Sequence, residues 1–374
     1  MNGTFRVGNL FGIPFYIHPS WFFVFGLVTW TYGNQLAAIF PGLGAGLPWI
    51  LGLVTALLLF SSVLAHELGH SFVAIQQGIE VKSINLFLFG GLANLEKESK
   101  TPGEAFWVAI AGPLVSLLLF GLITVIGTSL HISGPLAAIL GLLASVNLIL
   151  ALFNLIPGLP LDGGNILKAI VWKITGNPYK GIIWASRGGQ IFGWIAIISG
   201  LIPILTSGSF ANWWNLLIGW FLLQNATRFI QYARVQDKLS GLTAEDAVIP
   251  NSPMVSESLS LREFANEYII GKADWRKFLV TDEQGYLVGA IAVDDMKTIP
   301  VDRWPQTQVK ELMQPVDTTT LVKSDQSLLD VVTLIEQKQL IQLPVVRENG
   351  LLVGLLEKGS IINLLQQQAQ AKLA

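Results

Sequence analysis

Residues 48–70 read PWILGLVTALLLFSSVLAHELGH, an apolar run that ends in two histidines and a glutamate. A helix needs about 20 mainly apolar residues to cross the ~30 Å hydrocarbon core of a bilayer. The run from Pro48 to about Ala65 approaches that length without a single charged residue. We therefore predict a membrane-spanning helix that leads directly into His66, Glu67 and His70.

Charge is unevenly distributed along the chain. Residues 1–238 contain 11 Lys and Arg and 7 Asp and Glu, whereas residues 239–374 contain 12 and 18. The first part therefore has about a third of the charged fraction of a soluble domain, and the second part is close to the usual value. We predict a membrane domain at residues 1–238 and a soluble domain at residues 239–374.

Within the membrane domain, three intervals without Lys, Arg, Asp or Glu are each long enough for two spans. Gly, Pro, Asn and Ser clusters divide each interval near its middle, which predicts six transmembrane helices in a polytopic α-helical protein of the cell membrane. The expected spans are residues 19–38, 48–65, 105–127, 135–156, 188–205 and 210–227. Because the loops around residues 34–47, 128–134 and 206–209 carry no Lys or Arg, we predict that both termini are cytoplasmic.

The overall composition excludes several classes of function. With 52% hydrophobic and 13% charged residues, the chain is not an ordinary soluble enzyme. A net charge of −2 offers no basic surface that would attract nucleic acid strongly. Cysteine is absent, which rules out disulfides and thiol catalysis, so any metal has to be held by carboxylates and the 4 histidines.

The segment from His66 to His70 has the spacing H-E-x-x-H. Residues four apart share one face of a helix, so both imidazoles can bind one Zn²⁺ while Glu67 reaches a water at the ion. The alternative is a polar cluster at a helix end without metal. Because an acidic group at the centre of a span costs about 2.5–3.5 kcal/mol, and zinc binding offsets such costs, we favour the zinc site.

A catalytic zinc site usually has three protein ligands and one open position. His18 and His131 are candidates for the third ligand, but we expect both near the opposite side of the membrane from the end of the second span. The other candidate is Asp162, which follows a Pro- and Gly-rich break in the fourth span. Irregular backbone at membrane depth is tolerated where it lines a cavity. The alternative is a plain span end followed by a loop.

The soluble domain repeats itself at an offset of 65 residues. Residues 279–289 align with residues 344–354, and each copy reads as a β-hairpin between amphipathic helical stretches. The two copies, about residues 242–306 and 307–366, resemble a tandem pair of cystathionine-β-synthase (CBS) domains, a cytoplasmic α+β module in this chain. The resemblance implies that an adenine nucleotide binds between the repeats.

The nucleotide-binding pattern of the CBS family is incomplete in this chain. The pattern has a Ser or Thr three residues after a Gly, and an Asp three residues later that holds ribose hydroxyls. In the first copy, Asp295 is present but Ala292 replaces the hydroxyl residue, and residues 354–360 of the second copy lack both groups. The tail is therefore either a nucleotide sensor or a module for homodimerisation or protein contact.

The whole chain resembles the site-2 protease family of intramembrane zinc metalloproteases, in its prokaryotic subgroup with six spans and a CBS pair. HELGH at residues 66–70 and N-x-x-P-x-x-P-L-D-G at residues 154–163 carry the resemblance, supported by AGP at residues 111–113. The resemblance assigns five roles: zinc ligands at His66, His70 and Asp162, the general base at Glu67, and an oxyanion contact at Asn154. The alternative for Asn154 is a hydrogen bond between helices.

The substrate has to be unwound, because the peptide bonds of a membrane helix are protected by their own hydrogen bonds. Residues 83–94 are rich in β-formers, and we predict that they form a re-entrant or membrane-edge strand that captures substrate by strand addition. A plain amphipathic loop is the alternative.

The family resemblance implies hydrolysis of single-span, membrane-tethered regulators such as anti-sigma factors. The alternative from another class is a CBS-regulated metal-ion transporter or channel, with the intramembrane His, Glu and Asp as an ion path. Against it, the membrane domain has no obvious internal repeat. A zinc-holding scaffold that hydrolyses nothing would have no use for Glu67.

Overall fold

The computed structural model describes residues 4–87, 90–271, 275–315 and 320–371. Residue contacts separate two units, Met1–Arg234 and Val235–Ala374. The domain limits that we predicted from charge, residues 1–238 and 239–374, remain a prediction.

Helices dominate the first unit because a helix satisfies its backbone hydrogen bonds internally, as an apolar environment requires. The α-helices among its described residues are α1 (Pro19–Ile39), α2 (Leu47–Gln76), α3 (Pro102–Ser129), α4 (Gly134–Asn154), α5 (Asp162–Thr175), α6 (Pro178–Ser207) and α7 (Trp213–Leu239). Five of them, α1, α2, α3, α4 and α6, have a proline in the first turn. Proline is tolerated there because the first backbone N–H groups of a helix have no partner within it.

Four helices, α2, α3, α4 and α6, are long and apolar enough to cross a membrane. Helices α1 and α7 coincide with the first and last predicted spans but do not meet the same criterion of length and hydropathy, so six spans are not confirmed. Helix α6 begins at Pro178, well before the predicted start at residue 188. Helix α5 was not predicted at all.

The first unit also contains a four-stranded sheet. Its strands, in spatial order, are β1 (Phe5–Leu10), β2 (Ile13–Ile17), β3 (Val81–Phe87) and β4 (Gly90–Leu95). β2 and β3 run parallel, and the other neighbours are antiparallel. Residues 83–94, predicted as one strand, instead belong to the β3–β4 pair, and residues 88 and 89 lie outside the described residues. We did not predict β1 and β2.

One face of this sheet packs against α2. Ile84 and Leu86 of β3 are buried in a cluster that includes Ala74 of α2, and Ala93 of β4 and Leu68 of α2 pack against the same cluster. Because side chains alternate between the two faces of a strand, this apolar face fixes the register of the sheet on the helix. The packing brings β4 beside the part of α2 that carries the H-E-x-x-H motif.

The second unit contains two three-stranded sheets of the same topology. The strands are β5 (Met254–Ser256), β6 (Lys277–Thr281) and β7 (Leu287–Ala292) in one sheet, and β8 (Val322–Lys323), β9 (Gln342–Val346) and β10 (Leu352–Glu357) in the other. In each, the first strand is parallel to the second, and the second is antiparallel to the third. The α-helices among the described residues are α8 (Leu261–Phe264), α9 (Leu328–Lys338) and α10 (Lys358–Ala371). The two predicted hairpins are confirmed, at the predicted offset of 65 residues.

Candidate metal centre

Two elements distant in sequence bring the predicted ligands together. His66 and His70 lie one turn apart on α2, where both are buried, and Asp162 is the first residue of α5. Nε2 of His66 is 3.1 Å from Oδ2 of Asp162, and Nε2 of His70 is 3.3 Å from the same oxygen. The two Nε2 atoms are 3.3 Å apart. Among the described residues, these three side chains form a group that is compact enough to share one metal ion.

The spacing of the three atoms fits zinc. Tetrahedral bonds of about 2.0–2.1 Å place neighbouring ligand atoms about 3.3 Å apart. Gly112 of α3 leaves the necessary space, because a Cβ at this position would lie 2.7 Å from Nε2 of His66 and closer still to Nε2 of His70. A metal ion is thus compatible both with the ligand atoms and with the room between them.

One face of α3 orients both imidazoles. The carbonyl oxygen of Val108 lies 2.6 Å from Nδ1 of His70, and Oγ of the buried Ser116 lies 2.9 Å from Nδ1 of His66. A carbonyl only accepts, so Nδ1 of His70 donates the proton and Nε2 keeps its lone pair for a metal. Our sequence interpretation missed Val108 and Ser116. Their spacing of four residues on either side of Gly112 is a signal that was available in the sequence.

Glu67 and Asn154 lie at the same cavity as the metal ligands. The cavity has a volume of about 360 Å³, and its lining includes Glu67, Asn154 and Asp162. Glu67 is buried and abuts β4, where a Cβ on Gly91 would lie 2.7 Å from Oε1 of Glu67. The carboxamide of Asn154 donates one hydrogen bond to the carbonyl of Leu150 at 3.0 Å, within its own helix.

Asp162 is positioned by close backbone packing between its loop and α6. A Cβ on Gly158 would lie 2.5 Å from the backbone nitrogen of Gly189 in α6, so the two backbone segments touch and leave no room for a side chain. The N–H of Leu159 also donates to the carbonyl of Ala185 at 3.1 Å. The irregular stretch before Asp162 is therefore packed against protein.

The remaining two histidines do not join the group. Our reason for excluding His18 was wrong, because its backbone N–H donates to the carbonyl of Leu86 in β3, in the sheet that packs on α2. Its ring instead contacts Ser20 at 2.8 Å and caps α1. His131 is exposed in the connection between α3 and α4.

In the second unit, Asp295 has a structural contact. Its Oδ2 accepts a hydrogen bond from the backbone N–H of Ala292 at 2.9 Å, at the end of β7. At the equivalent position of the second repeat, Oγ of Ser360 accepts from the N–H of Glu357 at 3.2 Å. Both repeats thus use this position to cap the end of a strand, and one carboxylate oxygen of Asp295 is engaged.

Comparisons with known proteins place the chain among zinc metalloproteases with a CBS module. The sequence model of Peptidase family M50 matches residues 54–135 and 119–195, and that of the CBS domain matches residues 309–367. A protein of Synechocystis sp. that bears the name of a zinc metalloprotease is 58% identical over 99% of this chain and 97% of its own length. A zinc metalloprotease of Methanocaldococcus jannaschii is 30% identical over 86% of this chain and 91% of its own. The solved site-2 protease from M. jannaschii is 29% identical, covers 61% of this chain and 95% of its own, and superposes with a TM-score of 0.43.

Proposed function

The chain belongs to peptidase family M50, and we propose that this zinc metalloprotease hydrolyses a peptide bond within or near the transmembrane segment of a membrane-tethered regulatory protein. One observation carries the proposal: His66, His70 and Asp162 converge beside Glu67 on the wall of one cavity. These three residues would hold the zinc ion, and the cavity would receive the substrate.

A zinc ion at this position, when bound, polarises a carbonyl group and lowers the pKa of water. Glu67 is the base: its carboxylate accepts a proton from the attacking water and returns it to the amide nitrogen of the leaving group. Ser116 and the carbonyl of Val108 hold the imidazoles with Nε2 towards the ion, as partners of metal-binding histidines commonly do.

Asn154 is proposed to stabilise the oxyanion. Its carboxamide is at the cavity, and one of its two N–H donors is engaged with Leu150. The second donor is available to the negative oxygen that forms when the carbonyl is attacked. An uncharged donor is favourable here because a charged one would be costly at membrane depth.

Strand β4 is proposed to receive the substrate as an added strand. Among the described residues, β4 is the edge strand of the four-stranded sheet. Its Gly91 lies against the proposed base, Glu67. An edge strand presents backbone donors and acceptors to an incoming chain, so a substrate segment paired with β4 would lie beside Glu67 in an unwound state.

Proline substitutions in β4 test this docking mode. Successive residues of a strand direct their N–H groups to opposite sides, so Ala93→Pro and Asn94→Pro remove one donor towards β3 and one towards the edge. We expect one of the two variants to keep its fold and zinc but to lose cleavage. Normal cleavage by both folded variants would contradict strand addition.

Six crossings are proposed for the membrane domain, with both termini in the cytoplasm. Helices α1 and α7 pack closely on membrane-length helices: a Cβ on Gly52 of α2 would lie 2.7 Å from the carbonyl oxygen of Thr29, and one on Gly219 of α7 would lie 2.6 Å from that of Gly193. Such close backbone approach through small residues is typical of helices in membranes.

The orientation can be tested by labelling, because the natural chain has no cysteine. A membrane-impermeant maleimide should label Leu130→Cys, in a loop predicted outside, on intact cells. Lys173 is exposed and is predicted to lie inside the cell, so Lys173→Cys should be labelled only after the cells are permeabilised. The reverse labelling pattern would show that the proposed orientation is inverted. Labelling of both cysteines on intact cells would contradict the proposed six crossings.

The tail is proposed to modulate activity, with Asp295 as the group that would contact the ribose of an adenine nucleotide. One oxygen of Asp295 is engaged with Ala292, and the alanine supplies no hydroxyl for phosphate, so the binding should be weak. Isothermal titration of the full chain with AMP and ATP, with Asp295→Ala as the control, tests the site. Absence of heat at millimolar nucleotide would favour the alternative, homodimerisation or protein contact.

The proteolytic proposal is tested by co-expression with tagged single-span membrane proteins, anti-sigma factors first among them. The wild-type chain should release a shortened fragment, and Glu67→Gln should release none while it retains zinc. Under the alternative of a metal-ion transporter, no fragment forms, and proteoliposomes with the wild-type chain take up zinc.

A further inference from the structure

One face of α5 continues the wall of the catalytic cavity beyond the metal centre. Asp162, Asn165, Lys168 and Trp172 all line the cavity. Their spacing of three, three and four residues places them on one side of the helix. A rise of 1.5 Å per residue puts Lys168 about 9 Å along the helix from Asp162.

Lys168 is an enclosed cation that the proposed hydrolysis does not use. Its side chain is 17% exposed, and its ammonium lies 3.2 Å from Oε2 of Glu98. Glu98 is 73% exposed, so this partner is largely in water. Exposed ion pairs contribute little to stability, whereas a charge from which water is excluded interacts more strongly with an anion. Glu98 is therefore a replaceable partner.

The other anions that line the cavity belong to the proposed catalytic centre. Glu67 and Asp162 face the position of the ion, and Glu98 stands at the solvent-exposed end of the cavity. A substrate segment that fills the cavity would bring its own groups to Lys168 and exclude the water that now solvates Glu98. A carboxylate from the substrate can then replace Glu98. Asn165, which also lines the cavity, lies between Asp162 and Lys168 along α5.

We propose that α5 forms a specificity subsite in which Lys168 binds a carboxylate of the substrate. The proposal rests on the proposed protease function and names a substrate class for it. An extended chain rises about 3.3 Å per residue, so a distance of about 9 Å corresponds to an acidic residue about two to four positions from the scissile bond. The same carboxylate chemistry is offered by a free C-terminus at that distance.

Peptide binding to a non-cleaving protein tests the subsite. The protein is the full chain with Glu67→Gln in detergent, and the probe is a fluorescein-labelled Ala/Leu membrane peptide with a Gly-Pro pair at its centre. Two full-length peptides carry either Asp or Asn three residues from the centre. Two truncated peptides end at that position, one with a free C-terminal carboxylate and the other with a C-terminal amide. Fluorescence anisotropy gives the dissociation constants.

We expect the Asp peptide to bind about five- to tenfold more tightly than the Asn peptide, as for a partly buried ion pair. The free acid should exceed the amide if a C-terminus is the natural ligand. Adding Lys168→Gln should abolish the preference, Lys168→Arg should keep it, and Lys173→Gln, an exposed lysine of the same helix, should leave it unchanged. Glu98→Gln should strengthen binding of the Asp peptide, because a competing carboxylate is lost.

Equal binding within both peptide pairs, or a preference that survives Lys168→Gln, would overturn the subsite while leaving the protease function intact. Failure of every peptide to bind, the neutral ones included, together with absence of cleavage by the wild-type chain, would instead count against the proposed function. Zinc content, measured on each variant, separates loss of the subsite from loss of the metal centre.

Discussion

Replacing Gly112 with alanine tests whether the ion lies in the space between the two imidazoles. The added Cβ would lie 2.7 Å from Nε2 of His66, whereas ordinary van der Waals contact begins at 3.4 Å. The His66 ring then has to withdraw by about 0.7 Å, and the His70 ring by more. Metal–ligand distances in well-formed sites vary by about ±0.2 Å, so we expect the two histidines to lose coordination of the zinc ion.

The expected loss of zinc affinity can be given a lower limit. Mutating a group that merely orients a metal ligand costs about 10- to 100-fold in affinity. Gly112→Ala displaces two ligands directly, so we expect a loss of at least about 100-fold. Proteolytic activity should be lost together with the metal, but the zinc content of the variant is the measurement that tests the position of the ion.

The assay is zinc content of the purified full-length chain in a chelator-buffered series of free zinc concentrations. Gly121→Ala is the matched control, because it adds the same methyl group to the same helix where nothing lies within 4 Å. Both variants should match the wild type in helical circular dichroism and elution volume. If Gly112→Ala binds zinc across the series as the wild type does, the ion does not lie beside this glycine.

Three further substitutions have expected outcomes. Ser116→Ala removes the hydroxyl that orients His66 and should lower zinc affinity about 10- to 100-fold, whereas Ser61→Ala, an exposed serine of α2, should not. Gly91→Ala pushes on Glu67 and should lower kcat about 100-fold or more, the range for loss of a general base, with zinc content unchanged. Gly354→Ala brings a Cβ to 2.5 Å from Oγ of Ser252 and should destabilise the tail by about 1–3 kcal/mol in a thermal melt.

The sequence predicted the parts of the structure that depend on local spacing. The H-E-x-x-H motif fixes two imidazoles on one helical face whatever surrounds the helix, so His66 and His70 could be paired from four-residue spacing alone. Intervals without charged residues locate long helices in the same way, because a membrane-spanning helix needs about 20 apolar residues in one continuous segment. The repeat of 65 residues located both hairpins of the tail, since each hairpin carries its own pattern.

Features that depend on partners distant in sequence were not predicted. β1 and β2 are short, and their place beside β3 is set by the apolar cluster on α2, which includes Ile13 and Ile17. The position of His18 was misjudged for a different reason, because a cytoplasmic N-terminus and a first span that begins at residue 19 already place His18 on the side where the second span ends. The pairing of β2 with β3 brings its backbone beside Leu86. Helix α5 was not predicted, because the Pro–Gly break before Asp162 gave no indication that a helix resumes.

Asp162, the proposed third ligand, shows how such a distant partner completes a site that local spacing only begins. Asp162 reaches the imidazoles because its loop rests on α6, backbone against backbone, at Gly158 and Gly189. A side chain at either glycine would move the loop by more than a zinc–oxygen bond tolerates. We therefore expect a side chain at Gly158 or Gly189 to weaken the proposed metal centre, although neither residue is a ligand. The same contact fixes the start of α5 and, through the helix, the distance of Lys168 from the ion, so hydrolysis and the proposed substrate selection depend on one packed junction.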